Sequence, residues 1–187
     1  VSASNYTNPQ KHKTRFIALR YGNVLGSSGS VVPKFIDQIK NNKKLTITDY
    51  NMTRFSLTMN EALKFILEAA MHGKGSEIFI PKLKAYTISD IKDTLFELLK
   101  RTGEQKIPIR PGEKINEVLI NKDEMRYVWE FKNKYVIFKP TLMDEQIRKS
   151  YPGIKKIEGM EQYSSDNVDK ISKEQLKNII TKDGLLN

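Results

Sequence analysis

The stretch Arg20-Tyr21-Gly22-Asn23-Val24-Leu25-Gly26-Ser27-Ser28-Gly29-Ser30-Val31-Val32-Pro33 decides the fold of this chain. The apolar run just before it, residues 16–19, predicts a buried strand because it is short and does not alternate. Apolar residues then recur at helical spacing from Val32 to Ile39, with Ser30 as a candidate N-cap. A strand followed by a loop of small residues and then a helix can bind an anionic ligand at the positive end of the helix. The alternative is that the loop only connects the strand to the helix.

Length and composition place the chain among ordinary folded proteins. Its 187 residues, 39% of them hydrophobic, suffice for one domain with a core or for a piece of a larger protein. There is no cysteine and there are two histidines, which excludes disulfides, thiol nucleophiles and histidine-rich metal sites, so we expect no metal. No apolar run is long enough to cross a bilayer and no signal peptide is recognisable. We therefore expect a cytoplasmic protein with no membrane partner.

The net charge of +10 raises the question of a nucleic-acid partner. The lysines form only short pairs, such as Lys43-Lys44 and Lys155-Lys156. There is no long basic run and no aromatic-interleaved pattern of the kind that binds RNA. We therefore interpret the lysines as a solvated surface and predict no nucleic-acid binding.

The remaining pattern alternates strands and helices. Residues 1–13 are polar and make a poor beginning for an independent domain, so we expect a fragment. Short strands are predicted at 44–48, 77–81 and 134–138, and helices after Thr58, near Thr87 and after Ser172. The helix after Thr58 should bury Leu63, Ile66, Leu67 and Ala70. No repeat or linker is recognisable, and Trp129 is assigned no role. The chain is predicted to be one α/β unit.

Two arginines, Arg54 and Arg110, follow extended segments and should lie in loops. A planar guanidinium can bind phosphate oxygens in a bidentate manner, so the pair is either a diphosphate clamp or two surface arginines. Glu113 either positions a sugar hydroxyl or pairs with a neighbouring cation. Asn23 either binds a ligand or closes its own turn. Tyr21 either lines a cofactor pocket or packs at the end of the strand.

Catalytic groups are not recognisable in these residues. No Tyr-x-x-x-Lys pair stands in a plausible place, and neither a Gly-x-Gly-x-x-Gly fingerprint nor a Walker loop occurs. The glycines Gly22, Gly26 and Gly29 are too widely spaced to substitute. From the residues alone, the chain is an anion-binding α/β piece for which we predict no catalytic residue.

Several segments occur together in one known family. They are 20–33, 48–55, 77–82 and 109–114, the last reading Ile109-Arg110-Pro111-Gly112-Glu113-Lys114. In this order and spacing the chain resembles the C-terminal half of the inverting UDP-N-acetylglucosamine 4,6-dehydratases. These are extended short-chain dehydrogenase/reductases of the polysaccharide-biosynthesis group, and the resemblance covers about residues 1–180.

The resemblance implies a fold and an activity. Residues 1–187 would be one substrate-binding half, the C-terminal part of a Rossmann-type fold with a small substrate-binding subdomain. Its late Rossmann strands would lie near 15–20 and 77–81, and residues 1–13 would follow the Tyr-x-x-x-Lys helix. The N-terminal dinucleotide-binding part, which holds most of the NADP site, would be absent, so the fragment would be inactive alone. The full-length protein would be a homo-oligomeric lyase that makes a 4-keto-6-deoxy sugar nucleotide for surface polysaccharide.

The resemblance also assigns roles to single residues. Thr48 would contact the nucleotide, Arg54 and Arg110 the diphosphate, and Glu113 a ribose or sugar hydroxyl. Val24 and Tyr21 would lie on the nicotinamide side. The UDP-sugar itself would contact Asn23, Ser28, Gly29, Ser30, Val31 and Val32.

The chain departs from the family pattern at three positions. Ser28 stands where arginine is common, Ser56 where an aromatic residue is frequent, and Asn116 where histidine is frequent. These departures leave the sugar open. The alternatives are a nucleotide-sugar epimerase of the same superfamily and a non-catalytic protein that binds sugar nucleotides or another partner.

Overall fold

The computed structural model describes residues 14–186. The expectations for residues 1–13 therefore lie outside the described residues. The helices, in chain order, are α1 (Val31–Lys40), α2 (Met59–His72), α3 (Ile88–Leu98), α4 (Asp144–Ser150) and α5 (Lys173–Lys182). The strands are β1 (Ala18–Leu19), β2 (Leu45–Ile47), β3 (Thr53–Phe55), β4 (Ile78–Pro81), β5 (Ala85–Thr87), β6 (Glu104–Lys106), β7 (Val118–Ile120), β8 (Val128–Phe131), β9 (Lys134–Ile137), β10 (Lys155–Lys156) and β11 (Tyr163–Ser164). A 3₁₀ turn covers Met125–Tyr127.

The described residues divide into two compact units. Unit 1 comprises the residues up to Tyr21 together with Glu61–Lys82 and Val118–Tyr163. Unit 2 comprises Gly22–Asn60, Leu83–Glu117 and the residues from Ser164 on. The α/β class is confirmed, whereas the assignment of residues 1–187 to one substrate-binding half stays a prediction.

Unit 1 is built on a five-stranded mixed sheet in the order β1-β4-β9-β8-β10. The pair β1 and β4 is parallel, with Ala18 opposite Ile78, and the other pairs are antiparallel. These two strands lie where late Rossmann strands were expected. The apolar core under the sheet contains Phe79, Trp129 and Val136.

Strand β1 is less buried than its apolar sequence predicts. Ala18 and Leu19 are half-buried, and Phe16 is exposed. In the described part of unit 1, β1 pairs only with β4, so one of its edges has no strand beside it. Side chains of an edge strand lack neighbouring side chains on one flank and are therefore covered less than those of a central strand, which explains the difference.

Unit 2 has a core formed mainly by three helices and the strands beside them. Helix α1 buries Val32, Phe35, Ile36 and Ile39, as its 3.6-residue period predicts. Strands β2 and β6 are parallel, and β3 and β5 are antiparallel. Helices α3 and α5 begin with capping boxes at Thr87 and Ser172. Capping boxes satisfy N–H groups that a helix start leaves unpaired.

The predicted inner face of α2 is wrong. The helix begins at Met59 and ends at His72, close to the expected bounds, but it buries Ala62, Phe65 and Ala69. Leu63 and Leu67, predicted to face inward, are 52% and 65% exposed. Apolar residues surround most of this helix, so periodicity does not single out one face.

Candidate functional site: a cationic cavity in unit 2

Unit 2 contains a cavity of about 210 Å³ that collects most of the sequence-predicted site residues. Its lining includes Asn23, Val24, Gly29, Ser30, Val31, Thr48, Arg54, Arg110 and Glu113. Three predicted residues are not part of the lining. Ser28 is exposed, Val32 is buried in the core of unit 2, and Tyr21 belongs to unit 1, where its ring packs edge-on against Phe65. The roles assigned to all twelve stay predictions.

The loop before α1 is held by its own backbone. The N–H of Ser27 donates to Val24 O at 3.1 Å, and the N–H of Ser30 donates to Ser27 O at 3.0 Å. Gly26 has a φ of +78°, and a Cβ at this position would collide with the side chain of Leu185. Only glycine meets both requirements, because other residues are strained at this φ. The loop is therefore a defined wall of the cavity.

Helix α1 begins at this wall. Ser30 occupies the N-cap position, as predicted, but its side chain makes no capping hydrogen bond. Its Oγ is buried and has no hydrogen-bond partner within residues 14–186. An unpartnered buried hydroxyl is costly in a folded protein, and a bound acceptor or water at the cavity would remove that cost. The first N–H groups of the helix also lie at this end, which favours an anion.

Glu113, another residue of the lining, is held in place by hydrogen bonds. One carboxylate oxygen accepts from the Thr48 hydroxyl at 3.0 Å, and the other accepts from the Arg110 backbone N–H at 3.2 Å. The N–H of Glu113 donates to Arg110 O at 3.0 Å and closes the turn. The carboxylate is therefore oriented without a salt bridge to Arg110 or Lys114 among the described contacts. Each carboxylate oxygen can still accept a further hydrogen bond from a hydroxyl group.

Arg54 is fixed by neighbours within unit 2. Its Nη1 donates to Thr53 O at 2.7 Å and to Ile115 O at 3.1 Å. Its Nε lies 3.9 Å from a carboxylate oxygen of Glu117. Burial raises the pKa of Glu117, and the N–H of Phe55 and the charge of Arg54 oppose that rise. Arg54 thus brings a positive charge to the cavity wall with part of its hydrogen-bonding capacity already used.

Within residues 14–186, nine further lining residues were not assigned by the sequence analysis, and they include a charged, a sulfur-containing and a phenolic residue. Lys34, Met52 and Tyr86 all line the cavity. Lys34 follows Ser30 by four positions, so the two lie on one face of α1, and helical spacing was a signal that could have found it. Burial raises the pKa of Tyr86, and the nearby Glu117 adds to the rise. No local pattern marks Met52, which lies just before β3, or Tyr86 in β5, because the pairing of β3 with β5 brings these distant segments together.

Fold and cavity together define an α/β protein with a cationic cavity beside a helix N-terminus. The family model described as "Polysaccharide biosynthesis protein" matches residues 1–139. The chain belongs to this family, and the resemblance recognised in the sequence is confirmed. Within residues 14–186, no helix combines the length and the apolar character that a bilayer crossing requires.

Curated relatives of the chain carry two different enzyme names. A UDP-N-acetylglucosamine 4,6-dehydratase (inverting) from Campylobacter jejuni is 38% identical over 173 residues, covering 89% of this chain and 50% of the relative. A UDP-glucose 4-epimerase from Rickettsia bellii is 35% identical over 171 residues, covering 91% of this chain and 50% of the relative. The chain spans about half the length of these relatives.

Solved structures confirm the fold. The X-ray structure of Pen from Bacillus thuringiensis has a TM-score of 0.84 and 34% identity, covering 100% of this chain and 54% of that one. A UDP-N-acetylglucosamine 4-epimerase from Methanobrevibacter ruminantium, in complex with UDP-N-acetylmuramic acid, has a TM-score of 0.51 and 24% identity. It covers 60% of this chain and is alike in fold alone.

Proposed function

We propose that this chain is the sugar-nucleotide-binding half of an inverting UDP-N-acetylglucosamine 4,6-dehydratase. The observation that carries the proposal is the cavity in unit 2, whose lining combines cationic side chains, the N-terminus of α1 and one oriented carboxylate. A diphosphate needs cations and N–H donors, and a sugar or ribose hydroxyl needs an acceptor. The identity of 38% to 41% with two Campylobacter jejuni dehydratases supports the same assignment.

The proposed roles follow from the chemistry of each lining residue. Arg54 and Arg110 bind the diphosphate, and Glu113 accepts a hydrogen bond from a ribose or sugar hydroxyl. Thr48 contacts the nucleotide and also orients Glu113 through its own hydroxyl. Asn23 and the segment from Ser28 to Val32 contact the sugar nucleotide. Ser28 and Val32 lie outside the cavity lining, so their roles rest on the resemblance alone.

NADP is the cofactor that this activity requires. When bound, it supplies hydride acceptance and return for the loss of water. The residues of this chain would supply only a small part of the NADP site. Val24 lines the cavity, but the glycine-rich fingerprint that binds a dinucleotide is not found in the sequence. Val24 and Tyr21 would contact the nicotinamide side. We propose that the remaining NADP contacts and the acid–base residues of the lyase lie outside these 187 residues, and that the chain alone is inactive.

The cellular context is proposed on the same basis. The full-length protein would act in the cytoplasm on a UDP-sugar, as a homo-oligomer, with no nucleic-acid or membrane partner. Its product would enter surface polysaccharide synthesis, in keeping with the description of the family.

A UDP-glucose 4-epimerase is the second candidate, favoured by the Rickettsia relatives at 34% to 35% identity. The two reactions differ in the mass of the product. Full-length protein containing this chain should be incubated with NADP and either UDP-N-acetylglucosamine or UDP-glucose. The products should be separated by liquid chromatography and identified by mass spectrometry and NMR. Loss of one water supports the dehydratase, and an isomer of unchanged mass from either substrate supports an epimerase. Recovery of unchanged substrate from both incubations contradicts both.

A further inference from the structure

Two cations of the cavity, Lys34 and Arg110, form no ion pair within residues 14–186. Neither the Lys34 ammonium nor the Arg110 guanidinium makes a salt bridge or side-chain hydrogen bond in the described range 14–186. Arg54, the third cation, donates to two carbonyl groups and lies near Glu117. Unpaired cations beside a cavity are unfavourable to one another, so they favour a ligand that brings negative charge.

Lys34 and Arg110 lie close enough to affect each other. The pKa of the Lys34 ammonium is lowered, first by burial and then by the positive charge of Arg110, while Glu113 acts in the opposite direction. The lining therefore carries three positive side chains, at Lys34, Arg54 and Arg110, against one negative side chain at Glu113. This excess of positive charge matches a dianionic diphosphate.

The position of Lys34 on α1 adds to this match. Lys34 stands one turn after Ser30, whose buried hydroxyl has no partner among the described residues, and both line the cavity. Residues four apart on a helix share a face, so the ammonium and the N-terminal end of α1 act on the same volume. A phosphate held there would meet the helix dipole and a charge-assisted hydrogen bond together.

We propose that Lys34 is a phosphate-binding residue of this site and that Lys34 and Arg110 form its principal pair of diphosphate ligands. Arg54 then acts mainly as a positioning residue, because its Nη1 already bonds to the carbonyls of Thr53 and Ile115. This inference rests on the proposed function and adds a residue that the sequence analysis did not assign.

The test measures UDP binding to the full-length protein that contains this chain by isothermal titration calorimetry. Lys34→Met should weaken UDP binding by about tenfold or more, the loss expected for a hydrogen bond to a charged group. Lys34→Arg should recover most of the affinity because it keeps the charge. Lys43→Met is the matched control, since Lys43 is an exposed lysine just beyond α1 and outside the cavity lining. This control should bind UDP like the unmodified protein.

Salt separates a charge contact from a packing effect. The difference between the unmodified protein and Lys34→Met should shrink as sodium chloride rises to about 1 M, because the Debye length then falls to about 3 Å. Equal circular dichroism spectra should accompany the comparison. A loss that is unaffected by salt and is not restored by Lys34→Arg would overturn the phosphate contact.

The outcomes distinguish this inference from the proposed function. If the unmodified protein binds UDP and Lys34→Met binds it equally well, Lys34 is not a phosphate ligand and the proposed function stands. If the unmodified full-length protein binds no UDP at millimolar concentration, both fail. If Arg54→Gln weakens UDP binding more than Lys34→Met while leaving the unfolding midpoint unchanged, Arg54 rather than Lys34 is the partner of Arg110.

Discussion

Arg20 in unit 1 and Arg110 in unit 2 show opposite uses of the same side chain. Arg20 forms a bidentate pair with Glu124, with both nitrogen–oxygen distances at 2.8 Å, and also donates to Leu119 O at 2.9 Å. The guanidinium of Arg110 has no such partner among residues 14–186, although the backbone of Arg110 orients Glu113. A paired arginine stabilises the fold, and an unpaired arginine in a cavity is available to a ligand.

The same contrast holds for hydroxyl groups. In unit 1 the buried hydroxyl of Tyr151 donates to Glu77 at 2.8 Å, and the backbone N–H groups of Lys74 and Gly75 donate to the other oxygen of Glu77. In the cavity, Ser30 Oγ is buried without a partner in the described chain. Buried polar groups are normally paired, so an unpaired one at a cavity indicates a binding site rather than a structural contact. Substitutions in the two regions should therefore affect different measurements.

The largest effect should come from the core of unit 1. Trp129 is 1% exposed and packs within the apolar cluster beneath the sheet. Trp129→Ala should lower the free energy of unfolding by about 3–5 kcal/mol, because it leaves a large cavity. Urea denaturation followed by circular dichroism measures this change. A loss below about 1 kcal/mol would show that Trp129 does not stabilise unit 1.

A smaller effect, seen in binding rather than in folding, is expected for the cavity. Arg110→Ala should weaken binding of the UDP-sugar by about 1.5–3 kcal/mol, the range for a hydrogen bond to a charged group. The free energy of unfolding should change by about 0.5 kcal/mol or less, as for an exposed residue without partners. Calorimetry on the full-length protein, with Arg101→Ala as an exposed control, checks the first value. Unchanged affinity would remove Arg110 from the site.

A third prediction concerns the ion pair of unit 1. The bond from Arg20 lowers the pKa of Glu124 below its ordinary value of 4.5, more than burial raises it. The folded-state pKa thus lies below the unfolded one. The stability from this pair is complete above the unfolded pKa and is lost as the pH falls through the folded pKa. Glu124→Gln should therefore cost about 1 kcal/mol at pH 7 and progressively less in acid.

Urea unfolding at pH 7 and at pH 3 measures that difference. The matched control is Glu161→Gln, because Glu161 forms a highly exposed pair with Lys122 and should contribute little at either pH. A cost for Glu124→Gln that is the same at both pH values would contradict an electrostatic origin.

The smallest effect should separate two serines at helix starts. The Ser172 hydroxyl accepts from the N–H of Gln175 at 3.2 Å, whereas Ser30 makes no capping bond. Ser172→Ala should therefore cost about 1 kcal/mol of unfolding free energy, and Ser30→Ala less than about 0.5 kcal/mol. Thermal unfolding of both variants gives the comparison. An equal cost at both positions would show that Ser30 caps α1 after all.

Local sequence patterns determined most of the secondary structure and the family. The apolar period of α1, the helix start near Thr87, the capping box at Ser172 and the run at 77–81 each act within a few residues, and all correspond to observed elements. The face of α2 was not predictable, because apolar residues occur around most of that helix and only tertiary contacts choose among them. The burial of Trp129 was not predictable from the sequence either, because it follows from the pairing of β8 with β9 and β10.

Part of the composition of the cavity followed from the sequence, and its internal contacts followed from the tertiary structure. The chemical types of Arg54, Arg110 and Glu113 could be selected from the sequence, because phosphate and hydroxyl groups are recognised by few kinds of side chain. The hydrogen-bond partners of these side chains could not be predicted from the sequence, because the partners are distant in the chain. The Thr48 hydroxyl donates to Glu113, 65 positions away, and Arg54 donates to Ile115 O, 61 positions away. A sequence pattern records which groups are present, whereas only the folded chain decides which of them are neutralised by neighbours and which remain free for a ligand.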